Sequence, residues 1–345
     1  MSNVVAQVVL YANVDTFLST VSAALHKRER SNNIPLGTLP RFLTDTPPAR
    51  LLPRVKNEDE GFILLSTFDV RGEPCVFAIK TPAHPAVGIY AAIDPGQGLH
   101  KHCEALAHAL LHRDKARVPL HFYGDERLVC GVAEAIAQRL GWPWVLQREH
   151  TYNAVTLTRK GLSAEIPRKM EDGHEVRRVT AAELEALGEK LLEMHQAMFK
   201  ETWKVEAPMQ AAKEIITACV KAGDAWVCFV DGQPASVALL TGETSGGKSI
   251  SAVYTRPEYR KKGYAQALVD TLSKAVLEEQ PEGYYLCLSC VPETSAGRIF
   301  AKTGFGSSQT YTMANVKLAK DLGLARLGLG IAITIAIYAW ATYFV

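Results

Sequence analysis

The sequence predicts an α/β protein with two similar domains in tandem, each a mixed, partly parallel sheet flanked by helices, followed by a C-terminal transmembrane helix. Three observations carry this. Strand, turn and helix signals recur in one order about 160 positions apart, and a period of that size means duplicated domains rather than a solenoid. In the second copy an apolar strand runs through a basic, glycine-containing turn into an amphipathic helix. The chain then closes on an apolar, charge-free segment. A length of 345 residues suits two domains.

The repeat is read element by element. In the first half the apolar run Phe62–Phe68, the turn Gly72-Glu73-Pro74 and the run Cys75–Lys80 form a hairpin signal. Ala225–Val230, Gly232-Gln233-Pro234 and Ala235–Leu240 repeat it. Ile89–Ile93, Asp94-Pro95 and a helix containing Leu106 parallel Ser251–Thr255, Arg256-Pro257 and a helix containing Leu268. The strand Pro119–Tyr123 parallels Tyr284–Ser289, and Arg139-Leu140-Gly141-Trp142 parallels Lys302-Thr303-Gly304-Phe305. The expected division is a first domain over 1–160, a linker over 161–174 with Pro167 and a charge cluster, a second domain over 175–318, and a membrane tail over 322–345.

Bulk composition excludes some classes. A formal net charge of +2 does not supply the basic surface a nucleic-acid binder needs. The seven cysteines are scattered and read as reduced thiols, indicating neither a zinc site nor a disulfide framework. His100 and His102 lack the further ligands of a metal site and read as ordinary surface histidines. The N-terminus has no basic n-region and Asp15 interrupts its apolar stretch, unlike a signal peptide. Leu327–Val345 carries no charge; as a helix it spans about 28 Å, against roughly 30 Å of hydrocarbon core. Lys317, Lys320 and Arg326 precede it, and Tyr338, Trp340, Tyr343 and Phe344 crowd its far end, as an aromatic belt would. The expectation is a single-span anchor with the preceding domains in the cytosol, at the endoplasmic reticulum or another cytosol-facing membrane. A soluble helix packed on the core is the alternative.

The turn Arg260-Lys261-Lys262-Gly263-Tyr264-Ala265 reads as an anion cradle. The first N–H groups of the following helix lack intrahelical partners, and the helix dipole adds partial positive charge there. Gly263, without a Cβ, lets the backbone approach an anion closely. The matching first-half segment Gln97–His102 keeps neither the leading arginine nor that glycine. The first half is therefore expected to be structural.

Arg-x-x-Gly-x-Ala after a strand and before a helix resembles the acyl-CoA pyrophosphate loop of the GNAT acyltransferase superfamily. Ile299-Phe300-Ala301-Lys302-Thr303-Gly304-Phe305 resembles that family's closing helix, Leu-Tyr-x-x-x-Gly-Phe. The tandem layout, with a degenerate first half, resembles the glycine N-acyltransferase-like branch, and so does Tyr254-Thr255-Arg256-Pro257-Glu258-Tyr259-Arg260. The resemblance covers residues 60–315 by layout and is specific over about 250–306. It implies acetyl-CoA or another acyl-CoA as cosubstrate, no metal, and a small-molecule amine or hydroxyl acceptor. It further implies that Val253, Tyr254 and Thr255 line the pantetheine arm. A backbone N–H near Val253 would meet the thioester oxygen, and Lys261 to Gln266, led by Arg260, would hold the pyrophosphate. The chain departs from the pattern twice. Lys248-Ser249-Ile250-Ser251 stands where that branch has a glutamate base, and Phe300 occupies the position of the tyrosine that protonates the departing thiolate.

Candidate replacements follow from the residues. Glu243, at the end of the strand Ala235–Gly242, is the leading general-base candidate, acting through a water. His195 and Glu201 lie on the helical region Ala181–Thr202 that lines the acceptor side in such folds, and His195 has a suitable ordinary pKa. Tyr254, Tyr285, Cys290 and Tyr311 are candidate proton donors that equally suit core packing. Trp203 is placed to cover the acceptor. The expected activity is acyl-CoA-dependent transfer, chiefly N-acetylation. The alternatives are a non-catalytic acyl-CoA-binding scaffold and O-acylation of a lipid or secondary metabolite.

Overall fold

The computed structural model describes residues 7–28, 36, 39, 63–80, 87–92, 98–113, 121–141, 144–145, 152–163, 173–203, 209–291, 293–313 and 316–318. The chain packs as two compact units. One comprises Met1–Leu10, Phe62–His150 and Met313–Val345; the other comprises Tyr11–Gly61 and Thr151–Thr312.

The first unit holds β1 (Gln7–Leu10), β2 (Ile63–Phe68), β3 (Pro74–Lys80), β4 (Val87–Ala91), β5 (His121–Gly124) and β6 (Trp144–Val145). Its seven-stranded sheet has the order β1-β2-β3-β4-β5-β14-β6, where β14 is Val316–Leu318 from the far end of the chain. Only β4 and β5 pair in parallel; the other pairs are antiparallel. Helix α1 (Val14–Lys27), which groups with the second unit, is capped by Asn13, whose Oδ1 accepts from the Thr16 N–H at 2.9 Å. Helices α2 (Leu99–Arg113) and α3 (Glu126–Leu140) cover the first unit's sheet. They bury Leu106, Leu110, Val132 and Ile136 against Val76, Ile89 and Phe122.

The second unit repeats that plan. Its sheet, with order β13-β7-β12-β11-β10-β9-β8, is built from β7 (Tyr152–Thr158), β8 (His174–Arg178), β9 (Ala225–Val230), β10 (Gln233–Thr241), β11 (Gly247–Thr255), β12 (Tyr285–Cys290) and β13 (Gly306–Met313). Helices α4 (Leu184–Trp203) and α5 (Met209–Ala222) lie on one face; α6 (Tyr264–Glu279) and α7 (Ser295–Thr303) lie on the other. Strand alternation sorts the core. Val227, Phe229, Val237, Leu239, Ala252 and Tyr254 meet Leu191, Met194, Met198 and Ile216. Trp226, Cys228, Ala238 and Leu240 meet Leu268, Leu272, Val276, Phe300 and Phe305. Both faces are covered, so β9 reads as a continuous apolar run.

The duplication is visible in the irregularities. In each unit the second and third strands form the hairpin the Gly-x-Pro turns predict, and each register slips just after the proline. Cys75 is skipped between Val76↔Thr67 and Pro74↔Phe68, and Ala235 between Ser236↔Cys228 and Pro234↔Phe229. Proline gives no N–H to a ladder, so pairing breaks there. The skipped carbonyls do the same work: Ala92 N–H donates to Cys75 O at 2.8 Å and Arg256 N–H to Ala235 O at 3.0 Å.

The predicted boundaries need correction at two strands. β7, which falls within the predicted first domain 1–160, pairs with β12 of the second sheet along its whole length, from Tyr285↔Thr158 to Cys290↔Asn153. β14, within the predicted second domain, pairs with β5 and β6 of the first sheet. Arg159, just before the predicted linker, likewise belongs to the second unit. Arg159 donates from Nε to Leu277 O at 3.0 Å, and from an Nη to Leu277 O and Gln280 O at 2.6 Å each. It thereby satisfies carbonyls left open at the C-terminus of α6. Pro167 and the tail 322–345 lie outside the described residues. Among the described residues no helix is long and apolar enough to cross a membrane.

Candidate active site

The parallel pair β11–β12 is zipped only at its beginning. Gly247↔Tyr285, Lys248↔Leu286 and Ser249↔Cys287 are its register partners, and no pairing follows. Beyond that point β11 continues to Thr255 on β10 alone, and β12 continues to Cys290 on β7 alone. A bulge contributes to the separation: Leu240 pairs with Ile250 and Leu239 with Ala252, leaving Ser251 as the extra residue. A bulge bends its strand and increases local twist. The result is a wedge between two strands, opening toward their C-terminal ends. In the first unit the corresponding pair β4–β5 keeps its register through Ile89↔Gly124, the last residue of β5.

Main-chain direction in the wedge follows from alternation. Arg256 N–H bonds to β10, so Tyr254 also turns its main-chain groups to β10, whereas Val253 and Thr255 turn theirs to the open edge. Val253 therefore offers an N–H and a carbonyl to the wedge. Thr255 differs, because its carbonyl accepts from Arg260 Nε at 3.0 Å.

The turn after β11 is the segment read from sequence as an anion cradle. Pro257–Tyr259 forms a short 3₁₀ turn, closed by Arg260 N–H to Pro257 O at 3.2 Å. Lys261 has φ 64° and Gly263 φ 89°. Two left-handed residues in three curl the backbone so that successive N–H groups converge, as in anion-binding nests. Gly263 is the N-cap of α6 and supplies no capping side chain, so the first-turn N–H groups keep their capacity for an external acceptor. Lys261 and Lys262 are exposed; Lys262 Nζ sits 5.7 Å from the centre of the Tyr259 ring. Tyr264 packs edge-on to His174 at 5.2 Å, and Ala265 sits in the first turn of α6. The Gln266 side chain turns inward, donating to Asp270 Oδ1 at 2.8 Å and Thr303 Oγ1 at 3.0 Å. It ties α6 to α7, so only its main chain faces the cradle.

Other predicted residues fall elsewhere. Arg260 is bound within the protein rather than presented to the cradle: an Nη donates to Glu201 Oε2 at 2.7 Å, and the guanidinium carbon lies 5.4 Å from the Tyr254 ring centre. Tyr254, on the α4 face, donates its hydroxyl to Glu201 Oε1 at 2.8 Å. Burial first, then the Glu201 contact, holds this phenol above its ordinary pKa and therefore protonated. Glu243 is at the wrong end of the strand. β10 runs antiparallel to β11, so the end of β10 lies beside the start of β11, roughly 20 Å of strand from Thr255. There Glu243 Oε2 is 3.3 Å from Lys248 Nζ, which also bonds Asp224 at 2.9 and 3.0 Å. Burial raises the Asp224 pKa and the lysine opposes that rise. Tyr284, beside this cluster, is pushed up by burial and by Glu243 and Asp224.

His195 is a core histidine. It is 6% exposed, its ring lies 4.8 Å from Phe199, its Nδ1 has no partner, and burial lowers its pKa. The ring is shut off from solvent, and burial makes it a weaker base than a free imidazole. Phe300 is 6% exposed and edge-packed on Phe305 at 5.8 Å. Tyr285 is buried, with its hydroxyl 3.4 Å from Thr244 Oγ1. Cys290 is half-buried at the free end of β12, its thiol pKa raised by burial. Cys287 and Cys290 have a C-x-x-C spacing, but residues three apart on a strand face opposite sides, and neither forms a disulfide. The side chains of Trp203 and Tyr311 lie outside the described residues. His102 is buried, not on the surface; its Nδ1 lies 2.8 Å from Thr67 Oγ1. His100 instead pairs with Glu104 at 3.5 Å. Among the described residues no group of three or more His, Cys, Asp or Glu side chains could hold a metal.

The lysine–aspartate pair and the Arg260–Glu201–Tyr254 cluster were missed by sequence reasoning as arrangements, because their members are far apart along the chain. The basic residue at strand position 248 was the available signal for the first. For the second it was the carboxylate at 201.

Comparisons with known proteins agree with this geometry. Residues 221–306 match the family model described as an acetyltransferase (GNAT) domain. Among solved structures, a tandem GNAT protein from the clavulanic acid biosynthesis pathway is 12% identical, with a TM-score of 0.59 over 90% of this chain and 98% of that one. A GCN5-related N-acetyltransferase from Sphaerobacter thermophilus is 13% identical, with a TM-score of 0.52 over 84% and 92%. A Drosophila protein is 11% identical, with a TM-score of 0.54 over 92% and 99%. No curated protein matches the sequence.

Proposed function

We propose that this chain, which carries a GNAT acetyltransferase domain within a tandem GNAT fold, transfers an acetyl group from acetyl-CoA to a small-molecule amine. The observation that carries the reading is the β11–β12 wedge ending at the Lys261–Gly263 cradle. The diphosphate would rest on the N–H groups of Gly263 to Gln266, with Lys261 and Lys262 adding charge. The pantetheine would run along the open edge of β11. The Val253 N–H would donate to the thioester oxygen as negative charge develops on it. The amine nitrogen then forms the new bond to the acyl carbon, the carbon–sulfur bond breaks, and CoA leaves as thiolate. The amine's proton passes to solvent, since His195 is buried and Glu243 lies at the opposite end of β11. Phe300 supplies no proton to the thiolate, which is a fairly good leaving group without one.

The buried Phe300 also favours a second reading, an acyl-CoA-binding protein without turnover. Release of free thiol from acetyl-CoA separates the two. Time-dependent release above background hydrolysis with at least one amine of a broad panel is expected. Saturable acetyl-CoA binding with no release across amines and alcohols would leave the binding protein and overturn the transferase.

The tail 322–345 is proposed to tether the protein to a membrane, on the composition of Leu327–Val345. Full-length protein should resist carbonate extraction, and a chain ending at residue 321 should be released while still binding acetyl-CoA. Release of the full-length protein by carbonate would refute the tether.

A further inference from the structure

We infer that Glu201 is a positioning residue for the anion cradle, and that Arg260, which it holds, is a strut of the cradle rather than a ligand of the diphosphate. The inference rests on the acyl-CoA reading above and assigns roles within that site. The leading arginine of the turn reads from sequence as a phosphate contact. The geometry gives it other partners. Nε donates to the last carbonyl of β11, at Thr255, at 3.0 Å. An Nη donates to Glu201 Oε2 on α4 at 2.7 Å. One face of the guanidinium lies over Tyr254, whose hydroxyl holds the other Glu201 oxygen at 2.8 Å.

Three separate elements therefore meet on one guanidinium: the end of β11, the C-terminal turns of α4, and the turn that opens α6. The fork geometry of arginine suits this, because its donors point in fixed, divergent directions in one plane. Each bond is charge-assisted. The adjacent residue Lys261 has φ 64°, a strained conformation for a non-glycine residue. Such a conformation persists where its surroundings fix it, and Arg260 is the neighbour anchored on both sides. A diphosphate competing for this guanidinium would have to break the Thr255 and Glu201 bonds and loosen the turn that presents the N–H groups. Lys261 and Lys262 are exposed and meet the anion without that loss.

The test is a double-mutant cycle of Glu201→Gln, Arg260→Gln and the pair, reading acetyl-CoA affinity by calorimetry at several salt concentrations and stability by thermal melting. A strut predicts that each single change weakens binding by about tenfold, that the pair is no worse than the weaker single, and that the salt dependence of binding matches wild type. Lys262→Gln should flatten that salt dependence. Glu201→Gln with unchanged or tighter binding would overturn the inference, since Glu201 would then be idle or competing with the anion. Flattened salt dependence in Arg260→Gln would overturn it too, by making the arginine a phosphate contact. If wild-type protein binds no acetyl-CoA, the acyl-CoA reading fails by itself. The melts then decide the strut: non-additive losses support it and additive losses refute it.

Discussion

Gly304→Ala is expected to cost about 3–5 kcal/mol of stability, whereas Gly141→Ala at the matching position of the first half costs about 1 kcal/mol. Both glycines end a helix in the left-handed region, as the paired Gly-aromatic signals predict, but they face different surroundings. Gly304 has φ 108°, and a Cβ built on it would lie 2.0 Å from Gly161 O, 3.1 Å from Gly161 C and 3.2 Å from Ser163 N. These are backbone atoms, held there by Ser163 N–H donating to Thr303 O at 3.1 Å, so no rotamer change relieves the clash. Gly141 has φ 65° and nothing within 4 Å of its would-be Cβ. The loss at 304 is a large fraction of a domain's stability and would loosen α7 and the buried Phe300–Phe305 pair. Urea denaturation of the two variants measures the difference. Equal costs would show that the 161–163 segment does not lie against the end of α7.

Cutting the chain at the predicted boundary is expected to destroy the second unit, while a cut ten residues earlier preserves it. A fragment of residues 151–312 contains β7 through β12 and all but the last residue of β13, and so part of every strand of the second sheet, though not α1. A fragment of residues 161–318 lacks β7, which fills the place between β12 and β13. Its loss leaves the main chain of β12 from Tyr285 to Cys290 without its β7 ladder, removes buried Leu157 from the core, and takes Arg159 away from the end of α6. Those losses are on the order of the whole stability of a domain. Cooperative melting of 151–312, with no cooperative transition for 161–318, is the expected result. Equally cooperative melting of both would show that β7 is dispensable and that the predicted boundary is adequate.

These two cases also show what the sequence can and cannot disclose. The hairpins were legible because Gly-x-Pro between apolar runs is a local signal, and the same residues produce the register slips at Cys75 and Ala235. The cradle was legible because strand, left-handed glycine and helix start are contiguous from Ser251 to Gln266. The exchange of β7 and β14 was not, because alternation identifies a strand but not the sheet it joins; pairing is decided by contacts far apart in the chain. Glu243 was misplaced for a related reason. Proximity in sequence to the third strand's end was read as proximity to the site, whereas antiparallel pairing carries that end to the start of β11. The Arg260–Glu201 pair was not legible, since Glu201 is some sixty positions away and only the fold brings α4 to the turn. His195 and Phe300 had polar or mechanistic roles open to them in sequence; the fold buries both, at 6% exposure each.

The central claim is that one half of this chain, the second, holds acyl-CoA, and that it does so on the Gly263 cradle. Calorimetric titration of acetyl-CoA into wild type, Gly263→Asp and Lys101→Asp tests it most directly. Gly263 has φ 89°, so an aspartate there is strained, and its carboxylate adds negative charge beside the N–H groups meant for phosphate. Lys101, in the first turn of α2, is the aligned position. The account predicts a single saturable site in wild type, binding weakened at least a hundredfold in Gly263→Asp with the fold retained, and unchanged affinity in Lys101→Asp. Equal affinity in Gly263→Asp, or loss of binding in Lys101→Asp, would contradict it.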